Sequence, residues 1–393
     1  MKFHETGDQP PLSSVVSKLV LGGGSYSPQS HLNPDCLPVR TLVLKALDNG
    51  IRTLDTSPYY GPSEILLADA LSHPAVTTRY SREDYILMTK VGRIADNTFD
   101  YSPKWITHSV NRSLKRFGTP YFDVVFCHDV EYVTYEDAIT AVGVLMDLVK
   151  EGKIRYVGVS GYCLDKLVRV VKLIRARYGK PLDAVQNWAQ LTLQNTRLAK
   201  EGFRHLQAAG VDHIFSSSPL GIGLLRSGGV PVGALGDWHP APEGLRQDAL
   251  KASEYVEAQG ENLASLALRF SISQLMPLMN GSSRASIIFG ASSVWELDSN
   301  IQAVQAILQP DFNKSRCIYD DMRGLSLVNV RQLEKDELLY AHVRSILEGW
   351  IDYEFPIPQR EWDVQLQKLV PIVKVKIEVS ERQVLTLYRE EGV

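Results

Sequence analysis

The stretch Ile51-Arg52-Thr53-Leu54-Asp55-Thr56-Ser57-Pro58-Tyr59-Tyr60-Gly61 decides how this chain reads. A short apolar run delivers a carboxylate at its end, and five residues later a phenol stands just before a glycine. Two further apolar runs close the same way, Ile86-Leu87-Met88-Thr89-Lys90 and Val124-Val125-Phe126-Cys127-His128. An acid, a phenol, an amine and an imidazole thus all fall at or just beyond strand ends.

Outward from that stretch, strand-length apolar runs alternate with segments of helical period. Strands are expected at 18–21, 51–54, 85–89, 123–127, 155–159, 184–186, 211–216 and 286–289. The helices between them carry their own end signals. Pro38 suits a first helical position ahead of Leu42, Val43, Ala46 and Leu47, with Gly50 as the stop. Ser102 can cap the helix that carries Ile106, Val110, Leu114 and Phe117, which Gly118 ends. Thr134 and Asp137 have the spacing of a capping box, and Gly152 closes the segment that follows. Eight successive β-then-α units require crossover connections and hence a parallel sheet. Eight is also the number that closes a (β/α)8 barrel. The rival, a doubly wound dinucleotide fold, calls for GxGxxG after its first strand, and Gly22-Gly23-Gly24-Ser25-Tyr26-Ser27 lacks the third glycine.

The barrel is expected over 12–310, leaving 311–393 as a C-terminal extension. Within that extension 335–351 has helical period, and 373–379 alternates strictly as a half-buried strand does, with Leu385 and Leu387 continuing similarly. One connection is unusually long. The Gly- and Pro-rich stretch from Ser218 to Leu245, with Trp238 and His239, has the length of a lid or functional loop.

Bulk properties exclude several classes. Of 393 residues, 44% are hydrophobic and 22% charged, ordinary globular values, and a net charge of -3 points to neither nucleic acid nor membrane. Cys36, Cys127, Cys163 and Cys317 are scattered without CxxC or CxxH pairs, so they read as reduced thiols of a cytoplasmic protein. His128, His213 and His239 lack HxxxH or HxH spacing, and no metal is expected. The oligomeric state is not encoded in any pattern recognised here.

On a barrel, the C-terminal strand ends share one mouth. Asp55, Lys90 and His128 would close the second, third and fourth strands, with Tyr60 on the loop leaving the second. A phenol is a weak acid, of ordinary pKa about 10, and a neighbouring ammonium favours its ionised form. Lys90 is expected to supply that charge and Asp55 to hold the lysine. His128 would orient a substrate oxygen while Tyr60 passes a proton to or from it. Each residue alone has a plainer reading. An Asp after a strand is usually a turn cap, a lysine a solvated charge, His128-Asp129 a loop pair, and Tyr59 a packing aromatic. Their joint order at consecutive strand ends favours catalysis.

At these residues the chain resembles the aldo-keto reductases, from about residue 18 to 308. The family's Asp-x-x-x-x-Tyr-Gly matches Asp55, Tyr60 and Gly61, and its strand-end Lys and His match Lys90 and His128. The resemblance implies a (β/α)8 barrel that binds a nicotinamide cofactor without a Rossmann fold. It further implies that Ser160 and Gln186 hold the carboxamide, with Ser218 and Leu220 on the loop after strand seven also facing the cofactor. Gly161 stands where the family usually has Asn, and Ser217 where it usually has the stacking Tyr. The segments 55–64, 89–93, 128–131, 160–162 and 224–227 are similar to those of aldose 1-dehydrogenases acting on D-arabinose and, more distantly, L-galactose. Such enzymes oxidise the anomeric hydroxyl to a lactone.

For the cofactor's far end, the matching stretch is Gly290-Ala291-Ser292-Ser293-Val294-Trp295-Glu296, followed by Asp298 and Asn300. Gly290 and Glu296 stand where NADP-users place Lys or Arg, so NAD is expected over NADP, with Glu296 or Asp298 accepting from a free ribose hydroxyl. Ser292, Ser293 and the helix start can hold a bridging phosphate through backbone N–H groups. Tyr26 and Trp188, with Ser25 and Asn187, are candidates to line a sugar pocket. Two alternatives stand beside the sugar dehydrogenase: a reductase of aldehydes or ketones, and a catalytically silent nucleotide-binding barrel.

Overall fold

A computed structural model of the chain describes residues 9–279, 284–308, 329–356, 360–363 and 368–371. Eight parallel strands, numbered here by their place in the barrel, are β1 Leu19–Gly22, β2 Thr53–Asp55, β3 Ile86–Val91, β4 Phe122–Cys127, β5 Ile154–Gly161, β6 Ala184–Trp188, β7 His213–Ser217 and β8 Ala285–Gly290. They close into a barrel in chain order, β1 pairing with both β2 and β8. All eight expected strands are present, each displaced by a few residues at most.

The pleat sorts the side chains into two layers. Val20, Met88, Val124, Phe126, Tyr156, Ala184, Phe215 and Ile288 fill the barrel interior, and Leu12 and Val16 plug its N-terminal end. Their neighbours along each strand, such as Leu19, Leu21, Leu87, Val125 and Val157, face the surrounding helices. Burying one such side chain stabilises by roughly 1.5–3 kcal/mol, so the doubly covered strands hold firmly. The plug is tied down: Ser13 donates to Asp212 through both its amide and its hydroxyl, each at 2.9 Å.

Helix ends follow the sequence signals closely. The Ser102 hydroxyl accepts from the Trp105 amide at 3.3 Å, and Gly118 turns out of that helix at φ 58°. Thr134 and Asp137 form a complete capping box. Pro38 is corrected by one position: it lies just before the helix Val39–Asp48 rather than inside it. Residues 218–242 run as turns before the paired helices Glu243–Ala258 and Leu263–Leu275.

The extension's helix spans Val330–Ile346, starting and ending five residues earlier than expected, because Asn329 caps it by accepting from the Gln332 amide. It docks through a buried ion pair in which Arg269 donates to both Asp336 oxygens, at 2.6 and 2.8 Å. The chain then returns to the barrel's C-terminal end. Gln194 donates to the carbonyls of Trp350 and Tyr353, at 2.6 and 3.0 Å, and the Phe355 amide donates to the Tyr162 hydroxyl at 2.8 Å. Beyond it, Arg360–Asp363 and Lys368–Pro371 pair antiparallel. The strand expected at 373–379 lies outside the described residues.

Candidate active site

Three consecutive strands deliver the central groups. Asp55 ends β2, Lys90 is the penultimate residue of β3, and His128 follows β4. The Lys90 ammonium donates to both Asp55 oxygens, at 2.8 and 2.7 Å, and to the Thr56 carbonyl at 3.0 Å. Its three protons are thus all engaged. Burial pulls the ammonium's pKa down and Asp55 opposes that pull. The Lys90 nitrogen lies 4.9 Å from the centre of the Tyr60 ring, and that ring meets the His128 imidazole edge-on at 5.7 Å between centroids. The four residues therefore meet over one mouth.

The charge balance at Tyr60 corrects the sequence argument. Lys90 was expected to depress the phenol's pKa, yet burial first, and then the Asp55 and Asp129 carboxylates, push it well above the ordinary range, with Arg93 opposing. The physical reason is that Asp55 spends the lysine's charge. The neutral phenol is a proton donor, and its base form is reached only from alkaline solution.

His128 is neutral for a related reason: burial, opposed by Asp129 and assisted by Lys90 and Arg93, brings its pKa down to about 3. Its Nδ1 lies 3.1 Å from the Ser57 hydroxyl, which already accepts from the Tyr59 amide. The serine's hydrogen is therefore free to go to Nδ1, leaving the ring proton on Nε2. That places a neutral N–H beside the Tyr60 ring, suited to hydrogen-bonding a substrate oxygen.

Gln186, at β6, reaches this group. Its amide donates to Asp55 Oδ2 at 3.5 Å, while its own carbonyl oxygen is buried without a partner among the described residues. Ser160 is in register with it across the β5–β6 pair, its hydroxyl making one long bond, 3.4 Å, to the Cys127 carbonyl. A buried, unmatched acceptor beside an under-used hydroxyl fits a ligand carboxamide, which brings both a donor and an acceptor. Ser218 starts the long loop at φ 58°, with Leu220 after it, the latter half-buried.

A second group gathers at β8. Gly290 is exposed and Asn300 donates to its carbonyl at 3.2 Å. Here the structure changes two assignments. Glu296 Oε2 accepts from the Ser292 amide and hydroxyl, at 2.7 and 2.8 Å, so that amide is not open to a phosphate and the glutamate serves the turn. The Ser293 hydroxyl caps the Glu296 amide at 3.1 Å, and Asp298 pairs with Lys45 at 2.6 Å. Tyr26 is wholly buried in the apolar layer between strands and helices, and Ser25 bonds the Gly22 and Ala291 carbonyls, so neither side chain lines the mouth. Asn187 donates to the carbonyls of Gly161 and Tyr162. Trp188 does lie at the mouth, 4.4 Å from the Tyr162 ring.

Sequence reasoning gave no catalytic role to Ser57, Arg93, Asp129 or Glu131, though all four fall in quoted stretches. Glu131 fills the room that a side chain at position 161 would need: its Oε2 would lie 2.1 Å from a Cβ there. Burial, then Asp129, raises its carboxyl to about 8.

An eight-stranded barrel whose β2–β4 ends assemble Asp, Tyr, Lys and His, with a carboxamide-compatible Gln and Ser alongside, defines an oxidoreductase of carbonyl and hydroxyl groups. Residues 18–315 match the Aldo/keto reductase family, and the chain belongs to it. Its relatives include the D-arabinose 1-dehydrogenase of Saccharomyces cerevisiae, 36% identical over 284 residues, covering 72% of this chain and 81% of that one. The L-galactose dehydrogenase of Arabidopsis thaliana is 31% identical over 265 residues, 67% of this chain and 76% of that protein. The L-glyceraldehyde 3-phosphate reductase of Escherichia coli is 29% identical over 298 residues, 67% and 78% of the two chains. Members of this family use nicotinamide cofactors. Among the described residues no helix is long and apolar enough to cross a membrane.

Proposed function

We propose that this protein oxidises the anomeric hydroxyl of a free, D-arabinose-like aldose to the lactone, with NAD preferred over NADP. The observation that carries the reading is the packed group of Asp55, Lys90, Tyr60 and His128, with a phenol and an imidazole N–H facing one space. The sugar is suggested by the likeness to two sugar dehydrogenases.

Ser160 and Gln186 would hold the nicotinamide carboxamide, and the β8 end with the following turn would receive the adenosine side. The cofactor, when bound, supplies the hydride acceptor. The chain's own work is at the oxygen. His128 Nε2 donates to the anomeric oxygen and fixes its direction. Tyr60, ionised, takes the hydroxyl proton, so that the C–O bond becomes C=O as the C–H electrons depart. Lys90 and Asp55 hold the phenol's surroundings rigid and exclude water beneath it. In reduction the same phenol, neutral, returns the proton.

The NAD preference rests on the lack of Lys or Arg at Gly290 and Glu296, and on the Glu296 carboxylate, whose charge repels a 2′-phosphate. An initial-rate screen of free aldoses with NAD and NADP, following the reduced cofactor by absorbance, tests substrate, cofactor and direction together. Turnover of an aldopentose with NAD is expected, and similar efficiency with both cofactors would refute the preference. Tyr60→Phe should abolish turnover while preserving nucleotide binding by fluorescence titration. A protein that binds nucleotide yet turns over no aldose, aldehyde or ketone would be a binding barrel instead.

A further inference from the structure

The residue after the mouth's histidine carries no proton in the chemistry above, yet it is tightly constrained. Asp129 is 2% exposed and sits at φ 55°, a backbone region few non-glycine residues adopt. Its Oδ2 lies 2.5 Å from Arg93 Nη1 and 3.5 Å from His128 Nε2. The Trp188 indole, on strand β6, helps hold its pKa down. Its charge also reaches Tyr60, adding to the rise of that pKa, and Lys90, where it opposes the lowering by burial.

Arg93 cannot swing away to solvent. Its guanidinium lies 3.9 Å from the centre of the Tyr59 ring, and its Nη2 donates to the Asp96 carbonyl at 2.9 Å. The Tyr59 hydroxyl in turn donates to Asp96 Oδ1 at 2.5 Å. The carboxylate is therefore clamped in place beside the nitrogen that addresses the reacting oxygen.

A carboxylate offers about four acceptor positions. Arg93 engages one of them, and the imidazole at 3.5 Å is too distant for a good hydrogen bond. Acceptor capacity thus remains on a buried charge beside the nitrogen that addresses the reacting oxygen. Vicinal oxygens of a sugar are spaced by about one hydrogen-bond length. If one oxygen is on His128 Nε2, its neighbour falls within reach of Asp129. An aldehyde or ketone without that hydroxyl would displace water from the carboxylate and leave it unmatched, a costly outcome in a dry site.

We propose that Asp129, clamped by Arg93, accepts a hydrogen bond from the hydroxyl on the carbon next to the reacting one. It thereby selects 2-hydroxy aldoses over substrates that lack this group. The assignment rests on the aldose reading and adds the residue that enforces it.

The test crosses a substrate change with a residue change. Initial rates are compared for an aldopentose and its 2-deoxy counterpart, in the wild type and in Asp129→Asn, which keeps the size and tolerates the left-handed backbone. The wild type should favour the 2-hydroxy sugar by about 100-fold in kcat/KM, and Asp129→Asn should shrink that preference to within about threefold. Equal losses on both sugars would overturn the proposal and make Asp129 a positioning residue for His128. A wild type that oxidises both sugars without preference would also overturn it, while leaving the aldose reading standing. A wild type that oxidises neither sugar would remove the aldose reading and this proposal together. Should Asp129→Asn fail to fold, Arg93→Gln deletes the clamp's charged donor, and the preference should then fall about tenfold; an unchanged preference in that variant overturns the proposal.

Discussion

Two buried ion pairs, Lys90–Asp55 and Arg269–Asp336, are alike in geometry and opposite in use. Each joins a cation to both oxygens of a carboxylate at 2.6–2.8 Å, and in each pair both side chains are no more than 5% exposed. The arginine is held by a planar fork that stays charged under all conditions, and its surroundings are helix faces with nothing reactive. The lysine is a point charge whose pKa burial has lowered, 4.9 Å from the centre of a phenol ring. One pair fastens the extension's helix to the barrel; the other holds a charge pattern beneath the mouth. Proteins place arginine where a charge must only persist and lysine where its strength can be adjusted.

Substitution breaks the likeness. Lys90→Met should lower kcat by about 100-fold or more, since it removes the cation beneath Tyr60 and leaves the Asp55 charge there unpaired. Steady-state rates on folded protein would show this, and a loss under fivefold would refute the role. Arg269→Met should instead leave kcat within about twofold but cost about 3 kcal/mol of stability, because Asp336 is left buried without its partner. Urea unfolding measures that loss, and an unchanged midpoint would make the pair energetically idle. The pH response is graded. Because the Tyr60 phenol is raised, its base form is scarce at neutral pH and grows tenfold per pH unit. Sugar oxidation should therefore accelerate with pH at least to about pH 9, whereas the reductive direction stays flat. A rate of oxidation that falls between pH 7 and 9 would contradict the sign.

What could be read from the sequence was what local chemistry encodes. Asp55, Lys90 and His128 announced themselves because each ends an apolar run, and Ser102, Gly118 and the Thr134–Asp137 box because caps act within four residues. The Arg269–Asp336 pair was silent, its partners being 67 positions apart and each ordinary in its own helix. Glu131 gave no sign that it fills the space over Gly161, since only the packing of β4 against β5 brings the two together. Glu296 was read by its charge, whereas its geometry as a turn partner of Ser292 depended on a rotamer. The direction of the Tyr60 shift also escaped, because it is a balance of several charges and burial rather than one neighbour's effect.

The segment that returns from the last helix to the barrel has a consequence in time. Gln194 bonds to Trp350 across 156 positions, and Tyr162 to Phe355 across 193. During synthesis the β-strands can meet long before residue 355 leaves the ribosome, so the barrel can form while one side of its mouth is still missing. Catalytic competence should then arise abruptly and late. Arrested chains of increasing length would show activity only once residue 355 is free to dock, and activity in chains ending before Asn329 would disprove it.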